Sequence, residues 1–170
     1  MYRQDISFKT TDAVTLRGWF YPSTSSKRGP HPCLIISHGF ACLKEWDLDI
    51  FASHFCTHLP LSCLVYDHRG FGASDTAPGQ PRHEIIPAVQ RADTQDAITY
   101  AQSRDDVDPE KIGLWGSSYS AGHAIHIGAV DRRVKVVLAQ NPFVSGWTQV
   151  TRAVRPDFIA GMVAGFQAGE

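Results

Sequence analysis

Apolar positions along the chain follow two rhythms. Near the start, DISFKT (5–10) and VTLRGWFY (14–21) read as strands, joined by TDA into a hairpin. The stretch PSTSSKRGPHP (22–32) is rich in turn formers and predicts an exposed, linker-like loop. Beyond it, short runs that are apolar throughout alternate with segments of helical spacing. The runs are CLIIS (33–37), SCLVYD (62–67), KIGLWG (111–116) and VKVVLAQ (134–140). Between them, KEWDLDIFASHFCTHL (44–59) spaces Trp46, Ile50, Phe51 and Phe55 at helical intervals. EIIPAVQRADTQDAITYAQS (84–103) places Val89, Ala92, Ala97, Ile98 and Ala101 on one helical face, and SAGHAIHIGAV (120–130) reads as a third helix. The acidic RDDVDPE (104–110) reads as a solvated turn rather than a metal loop. Strands apolar throughout belong in a parallel sheet covered on both faces. The alternation predicts a three-layer α/β fold: a mostly parallel sheet with helices on both faces. A last stripe, Val150, Val154, Phe158, Met162 and Phe166, has near-helical spacing interrupted by Pro156, a natural helix start.

Length and composition narrow the function classes. The 170 residues make one domain, long enough to bury a core, and carry no internal repeat. The net charge is −1 with no Lys/Arg run, which argues against nucleic acid or an anionic membrane surface as partner. No apolar run is long enough to span a bilayer, and MYRQDISF has no apolar signal-peptide core, so a cytoplasmic location is expected. FQAGE is not a peroxisomal address; a peroxisomal location would need a longer product with its own C-terminal signal. Cys33, Cys42, Cys56 and Cys63 form no C-x-x-C pair and read as small buried hydrophobes.

The chemistry concentrates where KIGLWG gives way to a helix. GSSYS (116–120) fits the nucleophile elbow G-x-S-x-G, with Ser120 replacing the last glycine as another small residue. An elbow lifts one hydroxyl above the sheet at a helix N-terminus, where backbone N–H groups and the dipole favour a developing negative charge. By register that residue is Ser118. The competing reading is a Gly/Ser-rich turn without chemistry. SHGF (37–40) follows the first parallel strand, where such a site draws its second oxyanion donor. The backbone N–H groups of Phe40 and Tyr119 are therefore the candidate oxyanion donors. His38 and Gly39 on that loop, and Gly116 at the turn, are supporting residues, with His38 a prop rather than a base.

SHGF, YDHRGFGASD and GLWGSSYSAGH stand in the order and spacing of the α/β-hydrolase superfamily. More closely, the chain resembles fungal hydrolases and acyl transferases of polyketide gene clusters, the polyketide-transferase type. The resemblance implies cleavage or transfer of an ester- or thioester-linked acyl chain of a polyketide-like acid, in secondary-metabolite or toxin biosynthesis. It implies Ser118 as nucleophile and no cofactor. It also divides the chain into the N-terminal part of a hydrolase core (1–146) and the start of a cap or lid (147–170).

The family order is Ser, then Asp or Glu, then His, with the last two after a seventh and an eighth strand. This chain stops after the sixth counted here, so a truncation before the triad acid and His is expected. His123 and His126 follow Ser118 on the elbow helix, about 7–8 Å and about 12 Å down its axis. A base must come within about 3 Å. Both read as packing residues. Asp131 and Asp157 follow no seventh strand and are not assigned as the acid. His68 reads as structural. His54 and His58 have metal-ligand spacing without the Glu of H-E-x-x-H, so no metal site is expected. RGFGASD lacks the third glycine and the helix of a dinucleotide fingerprint. Two functions follow: a serine hydrolase or acyl transferase, or an inactive hydrolase relic that binds a ligand or partner or does nothing. The outer edge of VKVVLAQ is a candidate for self-association.

Overall fold

A computed structural model describes residues 2–26 and 28–168. Met1, Lys27, Gly169, Glu170 and the side chain of Phe166 lie outside the described residues. Strands β1 (Gln4–Lys9) and β2 (Thr15–Tyr21) form the antiparallel hairpin, and β2 continues antiparallel onto β4 (Ser62–Tyr66). β3 (His31–Ser37), β4, β5 (Val107–Ser117) and β6 (Val134–Gln140) run parallel. The sheet order is β1-β2-β4-β3-β5-β6, which is the three-layer fold expected from the alternation of strand and helix.

Because side chains alternate across a strand, the apolar runs feed two cores. Leu34, Ile36, Val65 and Trp115 meet Leu48, Ala52 and Cys56 of α1 (Leu48–His58) on one face. Cys33, Ile35, Leu64, Ile112 and Leu114 meet Ala97, Ile98 and Ala101 of α2 (Pro87–Gln102), and Ala124 and Ile127 of α3 (Tyr119–Val130), on the other. Full burial of each Leu, Ile or Val among them stabilises by roughly 1.5–3 kcal/mol. Among the described residues, no helix is long and apolar enough to cross a membrane.

Several expectations shift. α1 starts at Leu48, not Lys44, because Asp47 adopts a left-handed φ of 63°. The buried stripe is therefore Leu48, Ala52 and Cys56, while Trp46 and Ile50 are exposed. On α2, Ala92 is exposed and Val89 half-buried; Gln90, Asp93 and Thr94 turn inward instead. β5 begins at Val107, inside the expected turn; a bulge between its pairings to His31 and Cys33 accommodates the extra residues. β6 is covered on one face only. α3 packs on Val137, but Val136 and Leu138 are 50% and 42% exposed because α1 sits over β2, β3 and β4. Among the described residues β6 pairs with β5 alone, so its outer edge is open. α4 (Gly146–Ala153) and α5 (Pro156–Ala168) bear out the helix start at Pro156. No side chain of α4 is fully buried, and among the described residues neither helix packs extensively on another element.

Candidate active site

β5 ends at Ser117 and α3 begins at Tyr119; between them Ser118 has φ 55° and ψ −110°. A non-glycine residue in this region stores about 1–3 kcal/mol of strain, held only where the surroundings determine it. They do so here. Ser118 N–H donates to Gln140 O at 2.9 Å, and Ser118 O accepts from Phe143 N at 2.9 Å. Gly116 has no alternative: a β-carbon there would lie 2.4 Å from the backbone of Ser120. Ser120 is more than a small residue. Its buried Oγ accepts from Ser117 N–H at 3.0 Å and donates to Ser37 O at 2.7 Å, lashing the first turn of α3 to the ends of β5 and β3. Ser118 Oγ has no hydrogen-bond partner among the described residues. It borders a cavity of about 410 Å³ with His38, Phe40, Trp46, Trp115 and Gln140.

The loop after β3 lies against this turn. A β-carbon at Gly39 would sit 3.4 Å from Ser117 O and 3.6 Å from Ser118 Cβ. Phe40 N–H and Tyr119 N–H donate to no acceptor among the described residues. For Tyr119 the reason is general, since the first residues of a helix have no carbonyl four positions back within it. The rings of Phe40 and Tyr119 meet edge-on, centroids 5.6 Å apart.

Buried polar groups fix the loop. His38 Nε2 accepts from His68 N–H at 3.1 Å and Nδ1 donates to Gly39 O at 3.0 Å, which uses both ring nitrogens. Burial holds its pKa below the usual imidazole value. Asp67, fully buried, accepts from Lys44 N–H at 2.9 Å, Lys44 Nζ at 2.6 Å and Ala73 N–H at 3.0 Å. Arg69 joins the next loop to α2 through Asp93 and to the β1–β2 turn through Asp12. Lys44 and Asp67 escape sequence reading. Their signal is a carboxylate closing an apolar run, SCLVYD, where only burial can identify the partner.

The remaining ionisable groups are accounted for individually. His68 is fully buried, 4.6 Å from the ring of His38 and 6.1 Å from that of His123; burial keeps its pKa well below the usual range. His123 packs on Tyr119, and its pKa falls to about 4 through burial and then the charges of Arg91 and His126. His126 is exposed and is not the packing residue expected, because the buried stripe of α3 runs through His123, Ala124 and Ile127. Asp131 ends α3 in an ion pair with Arg133 that holds its pKa near 2, and Asp157 pairs with Arg155 at the surface. His58 Nδ1 donates to His54 O at 2.8 Å. All four cysteines are free; Cys42 is only half-buried, because it lies on the loop against the turn rather than in a strand.

Known proteins resemble this chain in sequence and fold. The profile of the acetyl xylan esterase (AXE1) family matches residues 2–157. A thiohydrolase of Eupenicillium brefeldianum is 40% identical over 140 residues, 82% of this chain and 43% of that protein. The polyketide transferase grgF of Penicillium sp is 38% identical over 142 residues, 84% of this chain and 46% of that protein. The crystal structure of the α/β hydrolase GrgF from Penicillium sp. sh18 superposes with a TM-score of 0.78 at 31% identity. It covers 100% of this chain and 56% of its own. The structure of DcsB in complex with its substrate analogue gives 0.75 at 31% identity, covering 99% of this chain and 54% of its own. The chain spans about half the length of the curated relatives it matches.

Proposed function

This chain belongs to the acetyl xylan esterase (AXE1) family, within the α/β-hydrolase fold, and we propose that it carries the nucleophilic half of a serine hydrolase or acyl transferase. The observation that carries the reading is the strained backbone of Ser118 beside two amides that donate to no acceptor among the described residues. Ser118 Oγ attacks the carbonyl carbon of an ester or thioester. The oxygen gains negative charge between Phe40 N–H and Tyr119 N–H, and the alkoxide or thiolate leaves. Water or another nucleophile then takes the acyl group from Ser118. The proton from Ser118 goes to a base outside the described residues, since no imidazole among them is hydrogen-bonded to Oγ.

The substrate proposed is an ester or thioester of a polyketide-like acid in secondary-metabolite or toxin biosynthesis, with the cytoplasm as its setting. Support comes from relatives named thiohydrolase, acyltransferase and polyketide transferase. Residues 147–170 belong to the same proposal as the start of a cap, and β6 as an edge that pairs with a second chain. One observation favours the other reading, an inactive binding module: both nitrogens of His38 are already committed. The test is turnover of an N-acetylcysteamine thioester and a p-nitrophenyl ester. Hydrolysis lost in Ser118→Ala supports the enzyme; a folded protein no faster than Ser118→Ala supports the module.

A further inference from the structure

A second cavity, about 420 Å³, opens on the α2–α3 side of the turn. Arg91, Tyr119, His123, His126 and Phe143 line it, and among the described residues no carboxylate does. Arg91 has no acidic partner among the described residues. The Tyr119 hydroxyl is buried without a hydrogen-bond partner among them, on a residue only 9% exposed. The charge of Arg91 reaches this corner: burial raises the pKa of Tyr119, and Arg91 opposes it. His126, at the rim, is exposed.

The cavity is mechanically part of the elbow. Tyr119 presents its amide beside Ser118 and its side chain lines the cavity. Phe143, in the opposite wall, donates its N–H to Ser118 O. A β-carbon at Gly122 would lie 2.1 Å from Phe143 O, so this wall lies directly on the first turns of α3.

We propose that this cavity binds an anionic oxygen group of the acyl substrate, a carboxylate or a phosphate, at the Arg91 guanidinium. A guanidinium fork matches either group, and Phe143 and Ile125 give the attached chain an apolar wall. The inference rests on the reading of Ser118 as nucleophile and narrows its substrate to one bearing a negative charge away from the reacting carbonyl. That charge comes either from a second carboxylate on the acyl chain or from the phosphate of a pantetheine arm carrying the thioester.

Calorimetric titration of the full chain with adipate, pantetheine 4′-phosphate and uncharged pantetheine tests it. At least one anion is expected to bind and pantetheine to bind far more weakly. Arg91→Gln is expected to weaken the anion by at least about tenfold, Arg91→Lys less, because a point charge keeps attraction but loses the fork. Arg132→Gln, which removes an exposed charge at the other end of α3, is the control and binds as the parent does. Adipate alone assigns the charge to the acyl chain; the phosphate alone assigns it to the carrier arm. Equal binding of neutral pantetheine, no binding of either anion at millimolar concentration, or full affinity in a folded Arg91→Gln overturns the proposal. Ser118→Ala is expected to bind unchanged, so the outcome is read independently of whether Ser118 reacts.

Discussion

Replacing Ser120 with alanine removes one oxygen and tests how the elbow is held. The hydroxyl accepts from Ser117 N–H at 3.0 Å and donates to Ser37 O at 2.7 Å, inside a residue with no exposed surface. Each neutral hydrogen bond contributes roughly 1 kcal/mol net, and a buried group left without a partner costs about 1–3 kcal/mol. Alanine loses both of these bonds and a longer donation to Ser117 O at 3.1 Å, and strands Ser117 N–H, so the destabilisation is about 2–3 kcal/mol. For a domain of this size that lowers Tm by roughly 4–12 °C. The assay pairs urea unfolding with the labelling rate of Ser118 by a fluorophosphonate, because a loosened first turn also misaligns Tyr119 N–H. Ser117→Ala, whose own hydroxyl makes no hydrogen bond among the described residues, is the control and changes stability little. A Ser120→Ala protein as stable and as reactive as the parent would refute the idea that this hydroxyl holds the elbow.

Asp67→Ala leaves the buried Lys44 ammonium with Glu45 and the face of the Trp19 ring at its side. A loss of about 3–5 kcal/mol is expected, partly recovered in Asp67→Ala/Lys44→Met; urea midpoints read both, and no recovery counts against a charge effect. His68 and His123 are held neutral by burial, so the unfolded chain takes up protons first as pH falls below about 6.5. Stability is therefore complete above that pH and declines below it, for His123 until about 4. The slope is up to about 1.4 kcal/mol per pH unit per histidine, flatter in His123→Gln; a urea midpoint equal at pH 7.5 and pH 5 contradicts it. Gly116→Val drives carbon into the backbone of Ser120 and is expected to yield no soluble folded protein, as judged by circular dichroism of any soluble fraction. Sedimentation velocity is expected to reveal concentration-dependent association that Val136→Lys/Leu138→Lys removes; a monodisperse parent monomer rejects the open edge as an interface.

The parts legible in the sequence were those whose cause is local. Apolar runs such as Cys33–Ser37 identify buried strands because both faces of such a strand must be covered, and Gly116 with Ser118 marks a turn few other residues can make. What escaped depends on partners distant in the chain. Asp93 turns into the protein to meet Arg69, and Thr94 to meet the Tyr66 hydroxyl, so the face counted through Ala92 was rotated. Asp47, with its left-handed φ, put Trp46 outside α1 and shifted the apolar stripe. Ser120 was legible as small, but its hydroxyl acquires a role only when β3, which ends 83 residues earlier, arrives beside it. The sequence assigns Tyr119 for its amide alone; that its side chain borders a cavity with Arg91 follows only once α3 is packed.

The most direct measurement is the intact mass of the folded chain after reaction with a fluorophosphonate, with the modified residue located by peptide mapping. One adduct on Ser118, formed slowly because no base among the described residues meets its hydroxyl, absent from Ser118→Ala and ahead of any on Ser117 or Ser120, is the predicted result. A folded protein that stays unmodified, or an adduct on another serine, would contradict the assignment of Ser118 as nucleophile.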